Sequence, residues 1–172
     1  MRTTSSLWRA LACVLIVATV AVGKATAAAT KRMPGHDQGR NHPKVRVLGR
    51  RAAAIARRMV GVPYRWGGSS PSGFDCSGLV TFAYGRLGVR LPHSSYALFR
   101  VGRNVGRWAL RPGDLVFFHG GGHVGLYLGH SRFVAATHTG DHVRISSLRD
   151  RWYADTYEGA RRLRSAGKRR SV

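Results

Sequence analysis

Cysteine is nearly absent from the 172 residues: only Cys13 and Cys76 occur. That excludes a disulfide framework and the paired-cysteine spacing of structural zinc sites. Acidic residues are almost as scarce, with seven Asp and Glu against 29 Lys and Arg and a formal net charge of +22. No apolar run reaches the length of about 18 residues that reads as a bilayer-spanning helix. The longest, Ala10 to Gly23, has 14. Internal repeats are missing, and the eight histidines show no metal-ligand spacing, so neither a metal nor another cofactor is expected. His36 and His42 read as solvated.

The short apolar run has a different meaning at the start of the chain. Arg2 and Arg9 precede it and Ala25-Thr26-Ala27 follows it, the order of an export signal with a small-residue cleavage site. Residues 1–27 are therefore expected to be removed. The alternative is an uncleaved anchor. A lipoprotein does not fit, because Cys13 precedes most of the apolar run instead of ending it. Cleavage would leave Cys76 as a lone thiol in an oxidising compartment, either buried or used. It would also remove three basic residues and no acidic one, taking the charge from +22 to +19.

So positive a chain implies a polyanionic neighbour. Inside a cell that would be nucleic acid; outside, anionic polymers or lipid headgroups. No recognised nucleic-acid-binding fold is present, and a nucleic-acid partner is not expected. Compositional bias in an Arg-rich proteome is the plainer explanation of part of the charge.

Residues 28–44 mix Pro, Gly, His and basic residues without apolar periodicity and are expected to be a flexible leader. From Val45 to Val60 the spacing of Leu48, Ala52, Ile55, Ala56 and Met59 predicts one buried helix face, stopped by Gly61-Val62-Pro63. Tyr64 to Gly73 reads as a turn-rich loop. A second helix is predicted from Cys76, with Asp75 as its cap, Leu79, Phe82, Ala83 and Leu87 on one face, and Gly88 closing its end. A shorter helix follows Leu91-Pro92-His93-Ser94-Ser95. Arg111-Pro112-Gly113-Asp114 reads as a turn and Leu115 to Phe118 as a buried strand. The stretch from His123 to Leu128 alternates, with Val124, Leu126 and Leu128 facing the core and His123, Gly125 and Tyr127 on the other side. Strands over Arg132 to Ala136 and Val143 to Ile145 complete the pattern, before an aromatic segment around Trp152, Tyr153 and Tyr157. Residues 164–172 are expected to be a disordered basic tail. Helices first and strands afterwards predict an α+β fold, with N-terminal helices packed on a small antiparallel sheet.

Chemistry concentrates at Cys76. A thiol at a helix N-terminus has its thiolate favoured by the helix dipole. Nucleophilic catalysis further needs a base within reach, a group to orient the base, and donors for the oxyanion. His123 is the best base candidate, because it opens a strand just after a glycine run; a loop histidine at the sheet rim is the plainer alternative.

The motifs GVPYRWGGSSPSGFDCSGLV, LPHSS, RPGDLVFF, GGHVGLYLG and YEGARR, in that order from about Ala52 to Leu163, closely resemble the NlpC-type (NlpC/p-sixty) cysteine peptidases of bacterial cell walls. The resemblance implies a compact papain-like catalytic domain over residues 45–163. It implies Cys76 as nucleophile, His123 as general base and acid, and Tyr64, Asp75 and Ser77 as substrate-binding residues. Helix capping and packing beneath the loop remain structural readings of Asp75 and Tyr64. The implied substrate is a peptidoglycan stem peptide, cut most commonly between γ-D-glutamyl and meso-diaminopimelate. The implied setting is the bacterial cell envelope, with a secreted monomer that has no membrane anchor and whose basic tail could meet anionic wall polymers.

One position departs from the resemblance. The family's third polar residue falls at Ala135, which cannot accept from an imidazole N–H. His138 is a candidate substitute, and strand register decides its position. If Leu128 pairs with Arg132, Ala135 and Thr137 share the face of His123. If Leu128 pairs with Phe133, His138 lies opposite His123. The family spacing favours the first register; water or a backbone carbonyl could also orient the ring. Two functions follow: a thiol endopeptidase, or a wall-binding relative whose catalysis has weakened.

Overall fold

The computed structural model describes residues 43–163. The expected export signal, the leader up to residue 42 and the basic tail lie outside the described residues. Four helices run in order: α1 (Pro43–Arg57), α2 (Cys76–Gly85), α3 (Ser95–Leu98) and α4 (Arg151–Asp155). Eight strands are interleaved: β1 (Ser69–Ser70), β2 (Gly73–Phe74), β3 (Arg103–Asn104), β4 (Leu115–Phe118), β5 (His123–Gly129), β6 (Arg132–Ala136), β7 (Val143–Ser147) and β8 (Tyr157–Arg162). None of the described helices is long and apolar enough to cross a membrane.

Helix α1 begins two residues earlier than expected, at Pro43, where proline's fixed φ and missing N–H suit a first helical position. The predicted face holds: Ala52 and Ala56 are fully buried and Leu48, Ile55 and Met59 pack against the same core. The helix ends at Arg57 and not at Val60; four turn residues follow, the last of which, Gly61, takes φ +92°, a left-handed conformation that glycine adopts without strain. Helix α2 starts at Cys76 with Asp75 as its cap. Its end is closed by Gly88 at φ +77°, with the Val89 N–H donating to the Tyr84 carbonyl at 3.1 Å.

Strands β4 to β7 form consecutive antiparallel pairs, and the six-stranded sheet has the order β3-β8-β4-β5-β6-β7. The architecture is α+β, as the sequence predicts. Helices α1 and α2 cover one face, where Leu79, Val80 and Ala83 meet Leu115, Phe117, Val124, Leu126 and Val134. The other face is also buried. Val116, Phe118, Tyr127, Phe133 and Ala135 form a second core with Tyr153 of α4 and Ala160 of β8. A strand buried on both faces needs no polar alternation, which is why Leu115 to Phe118 reads as an unbroken apolar run.

Two segments depart from expectation. The aromatic segment after Trp152 continues into β8, which lies between β3 and β4. Its sequence, Tyr157 to Arg162, carries little apolar signal because Arg162 is buried by pairing: Nε and Nη2 donate to the two oxygens of Asp114 at 2.7 and 2.6 Å. The Tyr64 to Gly73 loop contains a two-residue hairpin, β1 with β2, too short to leave a periodic signature.

Candidate active site

Cys76 is the first residue of α2, partly exposed, and the only free cysteine among the described residues. Its position is fixed from both sides. The Asp75 carboxylate accepts from the Gly78 N–H at 2.6 Å and the Ser77 hydroxyl at 2.9 Å through Oδ1, and from the Gly67 N–H at 3.0 Å through Oδ2. His93 Nε2 lies 3.0 Å from each oxygen of the same carboxylate. From the loop side, the Asp75 N–H donates to the Gly68 carbonyl at 2.9 Å. A Cβ on Gly78 would come within 1.9 Å of that carbonyl oxygen. Glycine at 78 is thus required by backbone approaching backbone.

His123 opens β5, opposite Phe118 of β4. The backbone N–H groups of Val124, one residue on, and of Ser77 and Cys76 itself lie near enough to the Cys76 sulfur to favour its ionised form. This places the start of β5 against the start of α2. Burial pushes the Cys76 thiol up, and the Asp75 charge adds to the rise; the three N–H groups only partly offset it. His123 is held down to about 4, first by burial and then by the nearby His138. The helix-start position alone favours a thiolate, but these shifts together favour a neutral thiol beside a neutral imidazole.

Both residues open onto a cleft of about 510 Å³. Tyr64 and His138 line it, as expected of site residues, together with Trp66, Tyr96, Arg144 and Trp152. Tyr64 is tied in by its N–H donating to the Asp141 carbonyl at 2.8 Å. Burial, Cys76 and Asp75 all raise its phenol above the ordinary range. Asp75 and Ser77 sit behind the cleft instead of lining it: Ser77 is buried and its hydroxyl is spent on Asp75. Trp66, Tyr96 and Arg144 were not legible as site residues, since they come from three separate segments and belong to no local pattern. Trp66 is 86% exposed, a large apolar side chain left at the mouth of the cleft.

The register settles the geometry around Ala135. Leu126 pairs with Val134 and Tyr127 with Phe133; a bulge toward the turn then shifts the pairing, so that Gly129 meets Arg132. Ala135 therefore shares the face of His123 and is buried in the second core, with Arg144 opposite it on β7. His138 reaches the rim of the cleft through the turn after β6 but does not bond His123. Its Nδ1 lies 2.9 Å from the Thr139 carbonyl oxygen and its Nε2 3.8 Å from Asp141. Asp141 also accepts from the Thr137 hydroxyl and the His142 N–H, and pairs with Arg144. His123 Nε2 is consequently buried without a hydrogen-bond partner. Among the described residues, no group of three or more His, Cys, Asp or Glu is placed to hold a metal ion.

Comparison with known proteins gives the family and the fold. The family profile described as "NlpC/P60 family" matches residues 61–162. The murein DD-endopeptidase MepH of Escherichia coli is 43% identical over 115 residues, which cover 62% of this chain and 42% of that protein. A probable endopeptidase of Mycobacterium tuberculosis is 45% identical over 100 residues, 56% of this chain and 26% of its own length. The chain thus spans less than half the length of these curated relatives. The solved structure of the peptidoglycan hydrolase RipB from Mycobacterium tuberculosis superposes with a TM-score of 0.62 at 31% identity, over 76% of this chain and 73% of that one.

Proposed function

The chain belongs to the NlpC/P60 family, and from that membership we propose that it is a peptidoglycan endopeptidase, with Cys76 attacking an amide of the stem peptide. The observation that carries the reading is the shared cleft: the one described cysteine heads a helix capped by Asp75, and His123, the first residue of β5, lines the same cleft.

The pair starts neutral. As sulfur attacks the carbonyl carbon, the thiol proton passes to the His123 imidazole. Backbone N–H groups at the start of α2 steady the oxyanion. The imidazolium then protonates the departing amine, leaving a thioester on Cys76. His123 takes a proton from water as that water attacks the thioester, and returns it to the thiolate as the acid product leaves. Tyr64 meets the substrate on the nucleophile's flank, while Asp75 and Ser77 act from behind the cleft by holding the first turn of α2. Arg144, exposed in the cleft wall, offers its charge to a substrate carboxylate.

The bond favoured is γ-D-glutamyl–meso-diaminopimelate. The export signal directs the enzyme to the bacterial envelope, where it acts as a monomer. Digestion of defined muropeptides, followed by mass spectrometry, tests the reading. Wild type should release the fragments of a single stem-peptide cleavage and Cys76→Ala none; fragments from neither protein would sink the proposal.

A second reading rests on Ala135 and the unpartnered His123 Nε2: a wall-binding member with weakened catalysis. It expects both proteins to bind insoluble peptidoglycan and neither to cut it.

A further inference from the structure

A second cavity, of about 290 Å³, lies between α1 and the turn leading into β4. No residue lines both it and the cleft at Cys76. Its walls are held by main-chain contacts. A Cβ on Gly49 would fall 2.8 Å from the Pro112 carbonyl oxygen, and one on Gly113 would fall 2.2 Å from the Gly49 Cα. Behind them the buried Tyr84 hydroxyl donates to the Gly113 carbonyl at 2.6 Å.

The charge in this cavity is one-sided. Arg46, Arg50, Arg111 and Arg162 line it, against a single carboxylate, Asp114. That carboxylate already holds Arg162 through both oxygens. Arg46 and Arg50 are exposed, one helical turn apart on the same face of α1, and have no acidic partner among the described residues. Arg111 is held below the ordinary guanidinium range, first by burial and then by Arg162 and Arg46. Like charges therefore crowd here, and an anion would relieve them.

Beyond the described residues the sequence adds one acidic residue, Asp37, and Leu163, itself part of the lining, is followed in sequence by the basic residues Arg164, Lys168, Arg169 and Arg170. Guanidinium forks match phosphate oxygens in pairs, and two arginines at i and i+4 present successive charges along a line.

We propose that this cavity binds the phosphate groups of an anionic phosphodiester polymer, with Arg46 and Arg50 reading neighbouring phosphates and Arg111 closing the inner wall. A flexible polymer can enter a concave site, whereas a bilayer presents its headgroups in a plane; the polymer is the occupant this shape favours. Holding the enzyme on such a polymer is separate from cutting peptides, so the site does not depend on the chemistry at Cys76.

The test is binding of the full chain to poly(glycerol phosphate) at physiological salt, followed by fluorescence anisotropy. The pair Arg46→Gln with Arg50→Gln should raise Kd about tenfold, the loss of charged hydrogen bonds to phosphate. The pair Arg90→Gln with Arg149→Gln removes the same charge from exposed positions outside the cavity and should change Kd less than about twofold. Turnover of a soluble muropeptide should be unaffected by either pair. Equal losses from both pairs would overturn the proposal in favour of unspecific attraction, and no binding by wild type would overturn it outright. Phosphatidylglycerol vesicles form the other arm: a loss of vesicle binding by the Arg46 and Arg50 pair, with polymer binding intact, would assign the cavity to membranes and refute the polymer. Should the pair unfold, Arg46→Gln alone carries the same comparison.

Discussion

His93 Nε2 lies 3.0 Å from both carboxylate oxygens of Asp75, the residue that caps the helix headed by Cys76. Asp75 thus ties together the Gly67 loop, the first turn of α2 and the segment carrying His93. Asp75→Ala removes the cap and three further hydrogen bonds, and should cost about 1–3 kcal/mol in urea denaturation. His93→Ala removes one partly exposed pair and should cost less than about 1 kcal/mol. Equal costs would mean that the cap is not the dominant role of Asp75.

The depressed His123 sets two pH dependences. For activity, the imidazole must be neutral to accept the thiol proton. The acid limb of kcat/KM should therefore lie near 4, well below the ordinary histidine value of about 6.5. A limb centred near 6.5 would contradict the burial of the ring.

For stability the sign follows from proton uptake. The unfolded chain protonates His123 near 6.5 and the folded chain only near 4, so stability falls as pH drops through that window. Replacing the ring by His123→Gln removes this dependence. Between pH of about 7 and about 4.5, wild type should lose about 2–3 kcal/mol relative to the variant. Parallel stability curves would show that the histidine is not buried neutral.

Ala135→Asn supplies an acceptor on the face of His123. It should raise kcat several-fold and move the acid limb upward, because an acceptor for the ring N–H favours the imidazolium. Overpacking a core position that is 1% exposed should cost about 1–3 kcal/mol. A folded variant with unchanged kcat and pH profile would show that Ala135 is not the site from which the ring can be oriented.

Asp114 and Arg162 form a buried pair, with side chains 2% and 9% exposed. Asp114→Leu strands a buried guanidinium and should cost about 3–5 kcal/mol. The double change to Asp114→Leu with Arg162→Met should recover most of that loss. Thermal denaturation of the three proteins gives the coupling directly.

Local patterns were enough to read the centre of the site. Asp75 and Cys76 announce a capped helix, and the run from His123 to Leu128 a strand, because each depends on neighbours a few residues away. The alternation puts Tyr127 on the opposite face, but only α4, more than twenty residues later, makes that face a core. Strand β8 was illegible for a related reason: the burial of Arg162 depends on a carboxylate 48 residues away. The cleft wall is assembled from Trp66, Tyr96, Arg144 and Trp152, and no spacing along the chain links them. The register that the family spacing favours is the one found beside Ala135, but next to the turn Arg132 meets Gly129 and not Leu128, because the bulge there leaves no mark on the hydrophobic pattern.

The close passage of Gly68 over Gly78 divides the cleft into two kinds of material. Beneath the sulfur, backbone rests on backbone, with no rotamer to turn and no side chain to trim. Any substitution that reshaped this floor would have to lift the loop from the helix and break the bond between Asp75 and Gly68. The rim is made of long side chains that can be exchanged one at a time. Changes in what the protein accepts can therefore be made around the nucleophile without disturbing the nucleophile itself.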